Sequence, residues 1–174
     1  MRNILATLKA EHDALRSLFD GINATTDRAE KTRLALLERI EAVLVPHAKW
    51  EETVFYPAFA ERASHEQLLL YTAAMQEHRA VEQSVLPDLK ACDPTSRQFA
   101  GSAKVMGEQI DHHASEEENE MFAAARQLFS AAELAEMDEQ YAQWKASGMG
   151  AGMTLQAKIK TGVASIFRMP GAPG

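Results

Sequence analysis

Apolar residues recur at steps of three and four along most of the chain, the spacing that lines one face of an α-helix. Ile4, Leu8, Leu15, Phe19 and Ile22 form a first stripe, with His12 at its missing step and Gly21 near its end. Asp27-Arg-Ala-Glu30 reads as an N-cap with a glutamate three residues on. It predicts a second helix to about Arg62, striped Leu37, Ile40, Leu44, His47, Glu51, Val54, Ala58. Pro46 lies inside it and predicts a kink, because the ring removes a backbone donor and crowds the preceding turn. Ser64-His-Glu-Gln67 is a capping box for a third helix, striped Leu68, Tyr71, Met75, His78, Glu82, Val85, Leu89. Asp93-Pro94 starts a fourth, with Phe99, Met106, Ile110, His113, Glu117, Met121, Ala124 and Leu128 on one face. Ser130-Ala-Ala-Glu133 caps a shorter fifth helix to about Ala146. Four long helices with short links predict an all-α, antiparallel up-down four-helix bundle carrying a shorter C-terminal helix.

Length and composition fit that architecture. The 174 residues, 46% apolar and 25% charged, suit one domain over residues 1–147, followed by a Gly-containing linker and basic tail over 148–174. Acidic side chains outnumber basic ones by 25 to 18, which disfavours a nucleic-acid partner, since phosphate contacts need clustered Lys and Arg. The single cysteine, Cys92, excludes an intramolecular disulfide or a Cys-rich metal site and suits a reducing cytoplasm. The start, MRNILATLKAEHD, is too polar for a signal sequence, and no apolar run approaches a membrane span. The tail is the exception to the acidic balance: residues 140–174 hold Lys145, Lys158, Lys160 and Arg168 and no acid. Its Leu155, Ile159, Val163, Ile166 and Phe167 line one face of a short basic helix that suits docking to the bundle, a partner or a membrane surface. A flexible tail fits equally well.

The core stripes contain residues that a core should not. Four histidines, one per long helix, sit at core-facing steps, and three have a glutamate four residues on: His47/Glu51, His78/Glu82 and His113/Glu117. Such pairs point the same way from a helix, so with His12 seven candidate ligands converge. A shift of 66 residues lays Glu11-His12 on Glu77-His78 and His47-Ala48-x-x-Glu51-Glu52 on His113-Ala114-x-x-Glu117-Glu118 without a gap. Two similar three-ligand sets in a pseudo-twofold bundle predict two metal ions, with Glu82 as a seventh ligand because its counterpart is Arg16. Unpaired, these groups would cost roughly 1–3 kcal/mol each, and more where charged, against a typical stability of about 5–15 kcal/mol. Two divalent ions with three carboxylates and one bridging hydroxide come close to neutrality. Mixed imidazole and carboxylate ligands suit iron, with manganese or zinc as alternatives.

The segments EHDALR, HAKWEETVFYP, EHRAVE and HHASEEENEMF, within about residues 8–128, resemble the hemerythrin-like (HHE cation-binding) family. The resemblance implies two non-haem iron ions in a four-helix bundle, bridged by oxo or hydroxo, with Glu51 and Glu117 as bridging carboxylates and His12, His47, His78 and His113 as ligands. Oxygen-carrying members have a histidine where Glu82 stands, and their last carboxylate lies five residues after its histidine. An anionic ligand there favours the ferric state and puts simple O2 carriage in doubt.

The function expected is binding of, or reaction with, O2, NO or H2O2 at a His/Glu binuclear centre, in sensing or in oxidative or nitrosative stress. The alternatives are an iron-storage or iron-sensing module and a metal-free helical module. Several residues compete for roles. His112, flanked by Glu108 and Glu116, and His65, in its capping box, read as solvated. Glu52 and Glu118 fit either hydrogen bonds to ligand imidazoles or boundary ion pairs, and Tyr56 and Tyr71 fit either the metals or the core.

Overall fold

Asn3 begins the first helix, accepting the Ala6 N–H at 3.1 Å and so satisfying one of the free donors at the start of α1 (Ile4–Asn23). The computed structural model describes residues 2–148. Helix α2 (Glu30–Trp50) starts later than the sequence pattern predicts: Ala29 stands at its N-cap without a side-chain bond. Asp27 is drawn away by Arg33, whose guanidinium lies 3.1 Å from its carboxylate. Arg33 is buried and also donates to Thr25 Oγ1 at 2.8 Å and to the Pro94 carbonyl at 2.6 Å, pinning two loops together. Asp93 likewise caps no helix. It accepts the Thr95 N–H at 2.8 Å, and Ser96 caps α6 (Arg97–Glu116) by accepting the Phe99 N–H at 3.0 Å. Ser64 and Gln67 exchange bonds before α4 (Gln67–Ala80), and Ser130 and Glu133 form the expected capping box of α8 (Ala131–Ala146).

Helix α2 runs through Pro46 without a break. The carbonyl that the proline leaves without a donor belongs to Ala42, on the exposed face where water can serve it. The irregularity falls five residues further on, in a π-helical turn over Glu51–Phe55 that leads into α3 (Tyr56–Arg62). A second, Val81–Val85, joins α4 to α5 (Leu86–Ala91), and a third, Glu117–Met121, joins α6 to α7 (Phe122–Leu128). Each wide turn advances the buried stripe by about one residue. Phe55, Tyr56 and Phe59 are fully buried, where an unbroken 3.6-residue period selects the partly buried Val54 and Ala58. Leu86 and Val81 are similarly more buried than Val85 and Glu82. Turns of this kind recur at functional sites, and here they lie beside the conspicuous histidines.

Four arms, α1, α2–α3, α4–α5 and α6–α7, form an all-α bundle, with α1 against α2 and α6, α3 against α4 and α7, and α8 across α1. Two apolar clusters fill it. One gathers Ile4, Leu8, Phe55, Phe59, Phe122 and Phe129; the other gathers Leu15, Phe19, Ile40, Leu89, Phe99 and Met106. Buried His12, His47, Glu51, His78, His113 and Glu117 form a polar layer between them. No helix among the described residues is long and apolar enough to cross a membrane. The tail helix expected within 148–174 lies outside the described residues, apart from Gly148.

Candidate metal centre

The four histidines reach the polar layer from four arms and meet in two pairs. His12 Nε2 lies 3.0 Å from His47 Nε2, and His78 Nε2 lies 3.0 Å from His113 Nε2. The opposite ring nitrogen of each faces a carboxylate: His12 Nδ1 meets Glu118 at 3.1 Å, His47 Glu11 at 2.9 Å, His78 Glu52 at 3.2 Å and His113 Glu77 at 2.8 Å. A carboxylate only accepts, so each Nδ1 donates and each Nε2 is turned inward. The 66-residue shift maps every one of these contacts onto another, His12–Glu118 onto His78–Glu52 and His47–Glu11 onto His113–Glu77.

Two inward nitrogens at 3.0 Å repel unless a cation lies between them, either a proton or a metal ion. Adjacent ligands at right angles, each about 2.1 Å from a metal, are roughly 3.0 Å apart. The carboxylates tell the same story. Both oxygens of Glu51 and Glu117 Oε2 are buried without a hydrogen-bond partner. Glu51 Oε1 lies 3.2 Å from His47 Nε2 and its Oε2 lies 3.5 Å from His78 Nε2, so one carboxylate faces both pairs. Glu117 Oε2 lies 3.3 Å from His12 Nε2 and 3.7 Å from His113 Nε2. These side chains make two groups able to hold a metal ion, His12/His47/Glu51/Glu117 and Glu51/His78/His113, with donor atoms within 4.8 Å of one another. The donor set suits a borderline divalent or trivalent ion.

The local fields are strong. Burial pushes the His47 imidazole down, but the Glu51 charge and the bond to Glu11 outweigh it and raise it to about 10. His113 is raised by the same contest, with Glu117 and Glu77 prevailing over burial. Burial favours a protonated Glu117, yet His113, His12 and the Tyr56 hydroxyl hold it well below the usual carboxylate range. Tyr56 donates to Glu117 Oε1 at 2.7 Å and approaches His78 and His113 at 3.3 and 3.4 Å. Burial, then Glu117 and Glu51, push its phenol well above the ordinary value.

A cavity of about 260 Å³ borders all four imidazoles and is walled further out by Leu15, Leu44, Leu86 and Ile110. Glu82 is half-buried on its wall, outside both groups; burial and the nearby Glu52 raise its carboxyl. The π-helical turn after His78 begins at Val81, three residues on, whereas the other two begin at the glutamate four residues on. Val81 therefore takes the inward place and Glu82 turns toward the rim. His112 is exposed beside Glu77 and Glu116, and Tyr71 packs edge-on against Tyr56 at 6.4 Å. Glu11 and Glu77 were visible in the repeat without a role; only the folded arms show that they hold His47 and His113. Tyr141 and Lys145, both bonded to Glu11, carried no sequence signal.

The sequence model of the hemerythrin HHE cation-binding domain matches residues 3–125. The crystal structure of a hemerythrin HHE cation-binding domain protein from Mycobacterium kansasii is similar over 86% of this chain and 91% of its own, at 26% identity and a TM-score of 0.71. A DNA nickase from a Nostoc species is 25% identical over 161 residues, 90% of this chain. The chain spans 41% of that relative's length.

Proposed function

The chain belongs to the hemerythrin HHE cation-binding family, and on that premise we propose a cytosolic non-haem di-iron protein that binds or reacts with O2, NO or H2O2. Its proposed ligands are His12, His47, Glu51, His78, His113 and Glu117, with Glu82 recruited from the cavity wall. The observation that carries the reading is Glu51, wholly buried, with both oxygens unpartnered and one turned to each histidine pair. Left so, it costs stability; two cations repay that cost. Iron held there supplies redox chemistry and a coordination position for a small ligand.

The chain's own side chains do the rest. Glu118, Glu11, Glu52 and Glu77 fix the ring orientation and tautomer of the four imidazoles. The Tyr56 hydroxyl donates its proton to Glu117 Oε1, 2.7 Å between the oxygens, and Leu15, Leu44, Leu86 and Ile110 give the cavity beside the imidazoles an apolar wall, with room for a diatomic molecule or peroxide. DNA nicking by the Nostoc relative is not carried over: that protein is more than twice as long, and the acidic balance here offers no excess charge for phosphate.

The test is anaerobic Fe(II) loading followed by rapid mixing with O2, NO or H2O2. At least one should generate iron charge-transfer absorption that azide alters. A protein that holds no iron, or whose bound iron responds to none of the three, contradicts the proposal.

A further inference from the structure

The pseudo-twofold repeat makes the two halves of the centre alike, so the places where they differ are informative. Glu11 and Glu77 are equivalent, each accepting from the Nδ1 of a histidine, His47 and His113. Their outer surroundings are not equivalent. The Glu11 oxygen that accepts from His47 also accepts from the Tyr141 hydroxyl at 2.8 Å, while its other oxygen accepts from Lys145. Both donors come from α8, which is absent from the repeat and lies beyond the residues the family model matches. Beyond His113, the one partner of Glu77 among the described residues is the exposed His112, at 3.7 Å, and the Glu77 side chain is 30% exposed against 14% for Glu11.

Helix α8 is well fixed over Glu11. Tyr141 is 1% exposed and packs on Trp50 at 5.2 Å, and Asp138, also buried, accepts from Thr7 and pairs with Arg2 at 3.0 Å. The ring of Tyr141 is held by aromatic packing, so its hydroxyl is free to serve Glu11. The distance and the shared acceptor oxygen give that hydroxyl one evident effect: it fixes the rotamer in which Glu11 faces His47.

We propose that Tyr141, with Lys145, is a positioning residue for the metal held by His12 and His47, so that docking of α8 and occupancy of that one position strengthen each other. The proposal rests on the di-metal reading above. By thermodynamic linkage the two effects are equal: whatever factor α8 docking adds to metal affinity, the metal adds to α8 docking. Among the described residues, the other position, on His78 and His113, has no such lock.

The experiment uses the full chain and Fe(II) under anaerobic conditions, with calorimetric titration and amide hydrogen exchange over residues 131–146. In the unmodified protein, Fe(II) should slow exchange in α8 by about tenfold. Tyr141→Phe, which keeps the ring packing, should weaken one equivalent of Fe(II) by about tenfold, leave the other unchanged, and abolish most of the metal-dependent protection of α8. Tyr141→Phe and Glu11→Gln should be non-additive, acting on the same equivalent, whereas Tyr141→Phe and Glu77→Gln should add. Equal weakening of both equivalents, additivity with Glu11→Gln, or α8 exchange indifferent to Fe(II) overturns the coupling while leaving the metal centre intact. An unmodified chain that binds no Fe(II) overturns both.

Discussion

Replacing His47 and Glu51 together by leucine should reverse the order of stability with and without metal. In the absence of metal the described core carries three buried acceptor oxygens without a hydrogen bond, two of them on Glu51, whose charge helps to raise the neighbouring His47 to about 10. Exchanging a buried ionic cluster for well-packed apolar side chains of similar volume is commonly neutral to stabilising, by about 1–4 kcal/mol. In chelator the double variant should therefore melt at or above the temperature of the unmodified chain. With metal the sign changes. Each ion present at a hundredfold excess over its dissociation constant adds about 2.7 kcal/mol, so two add about 5 kcal/mol, or roughly 10–20 °C for a domain of this size. The variant lacks His47 and one of the two carboxylates that face both histidine pairs, and should gain almost none of this. Paired melts by circular dichroism, in chelator and in excess Fe(II) under argon, read the four values directly. A double variant less stable than the unmodified chain in chelator, or an unmodified chain whose melting point ignores metal, would refute the reasoning.

Other outcomes follow from the same geometry. Metal binding should release protons at pH 7–8, because His47 is raised above its ordinary value and must give up its proton to bind; buffer-dependent calorimetric heats that reveal no release contradict this. In the metal-free chain that same shift contributes stability fully present below about pH 6.5 and lost as pH rises towards 10, so the urea midpoint should fall over that interval. Tyr56→Phe strands Glu117 Oε1, which should cost the metal-free protein about 1–3 kcal/mol in denaturant melts; no change would show that water replaces the hydroxyl. Gly107→Ala sets a Cβ 3.1 Å from the buried Phe19 ring, so crowding of about 1–3 kcal/mol should outweigh the helix-propensity gain of up to about 1 kcal/mol, and a more stable variant contradicts it.

The bundle and the convergence of its histidines were legible because both rest on local periodicity. His12, His47 and His113 keep the 3.6-residue phase of their own helices, and Glu51 and Glu117 open the wide turns before the phase changes. Beyond that point a fixed period fails. It selects Val54 and Ala58 where Phe55, Tyr56 and Phe59 are buried, and it turns Glu82 inward where Val81 goes, because a π-helical turn leaves no mark in hydropathy. Asp27 and Asp93 were legible as caps by type but are taken by Arg33 and Thr95, contacts that composition cannot rank. The carboxylates behind the imidazoles needed the assembled arms, since Glu118 and Glu52 each serve a histidine of the other repeat.

The most direct measurement of the central claim is Mössbauer spectroscopy of the full chain loaded anaerobically with ⁵⁷Fe(II) and then exposed to air. The account predicts two magnetically coupled iron ions per chain, both lost in the variant carrying His47→Leu with Glu51→Leu. One uncoupled ion per chain, or iron that persists unchanged in that double variant, would contradict it.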